Sequence, residues 1–144
     1  MDHIVYVEAS SKEMNKILNG EKTMILRGAS GRKMPYGRVE TGDVLYFMNN
    51  NGEGVVKARA NVKSVFNSEM LAPEVSMALI EQNQKYLLLS KKQKERFGGK
   101  RYLVLIEIEN PEEIKPMAID KSDFSTMDDW LRVGKISSVL VAAN

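Results

Sequence analysis

The chain has 144 residues, a net charge of only +2, a single histidine and no cysteine. That length suits one domain, 1–144, with a core of its own. The composition excludes disulfides, thiolate metal sites, cysteine nucleophiles and any histidine triad or multi-histidine metal site within one chain, and it fits a reducing, cytoplasmic setting without a metal or other cofactor. The first ten residues lack a basic lead followed by an apolar run, and no stretch is apolar for long enough to cross a bilayer, so the chain reads as unexported and away from the membrane.

Residues 4–7 form a short β-branched run that predicts a first strand, with His3 as a surface residue at its start. Ser10 and Glu13 have the spacing of a capping box, and Met14, Ile17 and Leu18 then fall on one face of a helix. Gly20 closes that helix in the left-handed conformation and delivers Lys22 to a strand over 23–27. On a period of two, Met24 and Leu26 share one face of this strand, and Thr23, Ile25 and Arg27 share the other.

A turn at Thr41, Gly42 and Asp43 feeds a buried strand over 44–48. Asn49, Asn50, Asn51 and Gly52 then supply a hairpin turn. In the strand that follows, Val56, Ala58, Ala60 and Val62 alternate with Lys57, Arg59, Asn61 and Lys63, which predicts an antiparallel strand with one core face and one wet, basic face. Pro73 suits the first turn of a helix whose inner side would carry Val75, Ala78, Leu79 and Gln82. Ser90 caps a shorter helix through Phe97, stopped by Gly98 and Gly99, and residues 86–89 read equally as a helix end or a packed connection.

Residues 101–108 make a strong strand with Tyr102, Val104, Ile106 and Ile108 on one face. Asn110 and Pro111 are expected to break it, leaving 114–119 as a separate edge segment. Ser125 is placed to cap a last helical turn bearing Met127, Trp130 and Leu131 as core residues, ended by Gly134, before a final strand over 139–141. The nine methionines are scattered, which suits adaptable core filling. Mostly antiparallel strands with inserted helices predict an α+β, mainly β architecture: a small curved or closed sheet with helices over its openings.

The charges are distributed unevenly. Residues 20–38 carry Lys22, Arg27, Arg32, Lys33 and Arg38 against Glu21 alone, with glycines that let the main chain approach a ligand. Residues 91–101 carry six further cations against Glu95, whereas 107–129 hold eight acids against Lys115 and Lys121. The two basic segments would make a patch together that neither makes alone, provided the fold brings them to one face.

The run from Ile17 to Arg27, the segment Thr41-Gly42-Asp43-Val44-Leu45-Tyr46-Phe47 and the strand over 55–65 resemble the ASCH domain family of the PUA-like superfamily. The family pattern Gly-x-Lys-x-x-Glu-x-Arg is met at Gly20, Lys22 and Arg27 and departs at Ile25, where many members carry a polar or acidic residue. The resemblance implies a PUA-like small mixed β-barrel whose cleft, between barrel and helices, is lined by the motif's Lys and Arg and binds RNA or a nucleotide-like anion. In that reading Lys22, Arg27, Arg32, Lys33 and Arg38 contact phosphates, Tyr36 stacks on an unpaired base, and Lys57 and Arg59 extend the track.

The sequence leaves two other classes open. A branch of the family is similar to small amidohydrolases that deacylate a modified pyrimidine nucleoside with a Lys, a Thr and a Glu. Here Lys22 falls on the lysine position, Ile25 takes the threonine position with no hydroxyl, Thr23 is displaced along the strand, and Glu74 or Glu81 would have to supply the acid. In the third reading the chain is a protein-interaction module, coactivator-like, whose basic cleft meets an acidic peptide and whose second surface lies at Trp130 beside Asp128 and Asp129.

Overall fold

The computed structural model describes residues 1–122 and 129–141. Its strands are β1 (Asp2–Val7), β2 (Met24–Ala29), β3 (Val44–Asn49), β4 (Val55–Asn67), β5 (Tyr102–Ala118) and β6 (Trp130–Gly134). They form one curled sheet in the order β2-β5-β4-β3-β1-β6, parallel between β1 and β3 and antiparallel elsewhere. The helices are α1 (Glu13–Leu18), α2 (Pro73–Leu87) and α3 (Lys91–Phe97). This is the α+β, mainly β architecture expected from the order of elements, and its curled sheet with packed helices matches the PUA-like fold that the resemblance implies.

The curl comes from the two long strands. β4 and β5 slip register three times along their ladder, and each slip adds twist and bends the strand. One of them absorbs the expected break: Asn61 faces Glu109 and Arg59 faces Glu112, so Asn110, at φ 53°, and Pro111 form a bulge within a continuous strand. Residues 114–118 are therefore the far end of β5. The half-barrel closes over Val5, Val7, Ile25, Leu45, Phe47, Ala58, Ala60, Val62, Val104, Ile106 and Trp130, while Leu26, Leu103 and Leu105 on the opposite face pack under α2 and α3.

Several local expectations change. α1 begins after Lys12, which sits at φ 56°, and no side chain caps it; the Glu13 carboxylate accepts instead from the Glu8 backbone N–H at 2.7 Å. The inner side of α2 is Ser76, Ile80 and Leu87, so Val75 is 51% exposed; apolar residues on more than one side of this helix make its period ambiguous. Tyr86 and Leu87 end α2, and Leu88 turns left-handed at φ 47°. Ser90 does cap α3, in a reciprocal box with Gln93.

Trp130 and Leu131 are core, as their size suggests, but in a strand paired to β1 rather than a helix, so no Trp130 surface is presented. The expected cap Ser125 and its neighbour Met127 lie outside the described residues, as does Asp128. Toward the C-terminus, Ile136–Val139 is a 3₁₀ turn, and Leu140 makes only a single bridge to Ile119 where a strand was expected.

His3 is the largest departure. It is in β1 but fully buried inside the barrel, between Trp130 and Asp43. Trp130 Nε1–H can only donate, and it lies 3.0 Å from His3 Nδ1, so Nδ1 accepts and Nε2 carries the proton that it donates to Asp43 Oδ2 at 2.8 Å. Burial holds the imidazole below its ordinary pKa of 6.5, with Asp43 acting in the opposite direction. The unfolded chain therefore binds a proton that the folded one resists, and stability is lost as pH falls through 6.5. Urea midpoints should drop between pH 7 and pH 5 in the wild type and drop less in His3→Gln; an equal drop in both would remove His3 as the cause.

Candidate ligand-binding cleft

β2 is one edge of the sheet and β6 the other, and Arg27 spans the distance between them. It lies on the Ile25 face of β2, points into the barrel mouth and is only 7% exposed. Its Nη1 donates to its neighbour's carbonyl, Leu26 O, at 2.9 Å, and its Nη2 donates across the mouth to Tyr6 O of β1 at 2.6 Å. The guanidinium lies 5.6 Å from the Trp130 ring centre and 6.0 Å from that of Phe97, cation–π contacts that partly replace lost hydration. Asp129, just ahead of β6, comes within 3.2 Å of Arg27 Nε.

Above Arg27 opens a cleft of about 410 Å³, within the range of small-ligand pockets. One wall is α3, which contributes Lys92, Gln93, Arg96 and Phe97; the others come from the end of β1, from Glu13 of α1, and from Asn50, Lys121 and Asp129. α3 is set against β2 at Gly28, where a Cβ would come within 3.5 Å of Phe97 and 2.8 Å of Leu103. Gly98 ends α3 where a Cβ would sit 2.6 Å from the Lys94 carbonyl. Arg96 donates to Asp129 at 2.8 Å, and Lys121 donates to the Tyr6 hydroxyl at 2.5 Å. Lys92, Arg96 and Lys121 thus ring a mouth whose base is Arg27.

The floor beside α1 is a second polar group. Glu13 is 4% exposed and Lys22 is 1% exposed, with Lys22 Nζ 3.3 Å from Glu13 Oε2 and bonded to the Leu87 carbonyl. Gln93 and the Glu8 N–H donate to Glu13 Oε1 at 3.0 and 2.7 Å. Burial lowers the Lys22 pKa, and the Glu13 carboxylate works against that shift. Glu13 is therefore fixed in place at the edge of the cleft, with Lys22 beneath it.

Of the residues singled out in the sequence, the structure brings Arg27 into this cleft and places Lys22 under it. Arg32, Lys33 and Arg38 are exposed on the loop after β2. Arg32 lies over the rings of Tyr36 and Tyr102, which meet edge to face, and the Tyr36 hydroxyl donates to Ser68 O at 2.5 Å. Lys57 and Arg59 are on β4, paired with Glu53 at 2.9 Å and Glu112 at 2.6 Å. Thr23 leads into β2, Ile25 is fully buried, Glu74 opens α2 exposed, and Glu81 pairs with Lys94 at 3.6 Å in a separate groove between α2 and α3. Lys22, Thr23 and Glu81 do not converge.

Every lining residue of the cleft except Arg27 was left out of the site by sequence reasoning, among them Tyr6, Glu8, Glu13, Asn50, Lys92, Gln93, Arg96, Lys121 and Asp129. Only the basic run containing Lys92 and Arg96 carried a signal for them. Glu13 reads as a capping residue, Asp129 as part of a separate surface at Trp130, and nothing local marks Lys121.

No family model and no curated protein matches the chain. Among solved structures it is similar to an ASCH protein from Zymomonas mobilis, at 14% identity and a TM-score of 0.69, covering 97% of this chain and 96% of that one. A single-residue variant of the same protein superposes with a TM-score of 0.70 over 95% of this chain and 91% of that one. The chain therefore has the ASCH-domain fold expected from its resemblance.

The Lys22–Glu13 pair allows a direct test. Removing one partner of a buried ion pair leaves the other charge uncompensated, which costs about 3–5 kcal/mol. Lys22→Met should lower urea-unfolding stability by about 3 kcal/mol, and Lys22→Met/Glu13→Gln should recover part of the loss; a double variant no more stable than the single would show that the pairing is not the cause.

Proposed function

We propose that this chain, built on the ASCH fold, is an RNA-binding module that holds a phosphate of single-stranded RNA in the cleft above Arg27. One observation carries the reading: Arg27 from the first basic segment and Lys92 and Arg96 from the second meet, with Lys121, around one cleft of nucleotide size. Guanidinium and ammonium groups arrayed on several elements suit the backbone of a flexible strand, since each neutralised phosphate releases counterions and steers encounter.

The exposed cations Arg32, Lys33 and Arg38 extend the positive surface along the loop that leaves β2. Arg32 is held over two tyrosine rings and so is presented in a defined place. Tyr36 adds an aromatic ring there, packed edge to face with Tyr102. Lys57 and Arg59 contribute less, because cross-strand or local acids already satisfy their charges. The amidohydrolase reading lacks support of this kind: the position that would carry a hydroxyl is a buried isoleucine, and Lys22 is bound to Glu13.

Anisotropy titration with a short labelled oligouridylate should show saturable binding that weakens with salt, by a slope of about 0.7 per phosphate contacted. Lys92→Glu/Arg96→Glu should reduce affinity by at least about tenfold, and Arg32→Glu/Arg38→Glu by a smaller factor. Affinity that is flat with salt, or unchanged in the Lys92/Arg96 variant, would overturn the assignment of the cleft.

A further inference from the structure

Arg27 is unusual in how its donors are used. Two of its nitrogens are bonded to the main-chain carbonyls of Leu26 and Tyr6, yet its buried Nε makes no hydrogen bond among the described residues. Asp129 approaches Nε to 3.2 Å without aligning, while the same Oδ2 accepts from Arg96 at 2.8 Å. A single oxygen thus lies between a buried guanidinium and a rim guanidinium. That is a position suited to a phosphate oxygen, and a tetrahedral phosphate has further oxygens with which to satisfy the Nε–H that the tethered carboxylate leaves unpaired. Asp129 itself is a quarter exposed at the edge of the cleft, so it can turn outward without passing through the core.

We propose that Asp129 is an internal phosphate surrogate: its carboxylate occupies the anion subsite formed by Arg27 and Arg96, and a phosphate of the incoming ligand displaces it. The inference rests on the RNA-binding reading of the cleft and adds to it the subsite and a built-in competitor. Asp129 holds the two cations in place and keeps them from weak anions, at the expense of affinity. A ligand must outcompete it, so removing the carboxylate strengthens binding even though a cleft contact is lost.

The test is titration of the same labelled oligouridylate, at one fixed salt concentration, into wild type, Asp129→Asn, Asp129→Ala, Asp129→Ala/Arg96→Ala and Glu95→Gln. The last removes one negative charge from α3 outside the cleft and measures the effect of net charge alone. Asp129→Asn and Asp129→Ala should bind about tenfold tighter than wild type. Glu95→Gln should change affinity by less than about twofold, and the gain should vanish when Arg96 is also removed. If wild type binds but the Asp129 variants bind no better than Glu95→Gln, the surrogate is overturned and the cleft assignment stands. If none of the proteins binds, both fall. Asp129→Asn preserves shape, so it carries the test should Asp129→Ala fail to fold.

Discussion

A buried guanidinium at the mouth of the half-barrel, that of Arg27, sets where the surrounding elements must sit. Arg27 stands on one edge strand and bonds to the backbone of β1, beside the other edge, so it ties the two ends of a curled sheet that no backbone ladder joins among the described residues. Placing that charge out of water is costly unless its hydration is replaced, and the replacement is spread over two carbonyls, two aromatic faces and Asp129. α3 supplies Phe97, β6 supplies Trp130 and the segment before it supplies Asp129. The elements around the cleft are therefore held where they are partly because they solvate one arginine.

Behind Arg27 the polar contacts continue into the core. Its guanidinium lies against Trp130, whose N–H bonds to His3, whose other nitrogen bonds to Asp43. The Trp130 N–H and the His3 Nε2–H each have an acceptor, and the tautomer of His3 follows from its neighbours. The Lys22–Glu13 pair forms a second buried group on the α1 side. Both place charged and polar atoms inside an otherwise apolar barrel, and both adjoin the cleft, so the interior is organised to orient the groups that line it.

Much of the frame is legible in the sequence because it rests on local periodicity. The alternation of Val56 to Val62 gave a strand with the correct buried face, the period of β2 put Arg27 on the same side as Ile25, and Pro73, Ser90 and Gly98 mark helix ends by known chemistry. The errors share another cause. Asn110 and Pro111 look like a break because local residues cannot show that a partner strand will accommodate a bulge. Trp130 and Leu131 suit a helix or a strand equally until β1 is present to pair with them. The cleft was legible only in its basic components: Arg27 and the 91–101 run were visible, but Glu13, Lys121 and Asp129 belong to it through contacts between distant parts of the chain. His3 looked like a surface residue because its partners, Asp43 and Trp130, are 40 and 127 positions away.

Binding of RNA phosphate in the cleft at Arg27, as proposed, differs from binding on the basic loop alone in which side chains the ligand touches. The most direct measurement follows the arginine side-chain Nε–H resonances and backbone amides of isotope-labelled protein by NMR as a short oligouridylate is added. Phosphate in the cleft should give large, saturable shifts for Arg27 and Arg96 Nε–H and for the amides around Lys92, Gln93, Lys121 and Asp129. Shifts confined to Arg32, Lys33 and Arg38, with the Arg27 resonance unmoved, would contradict it.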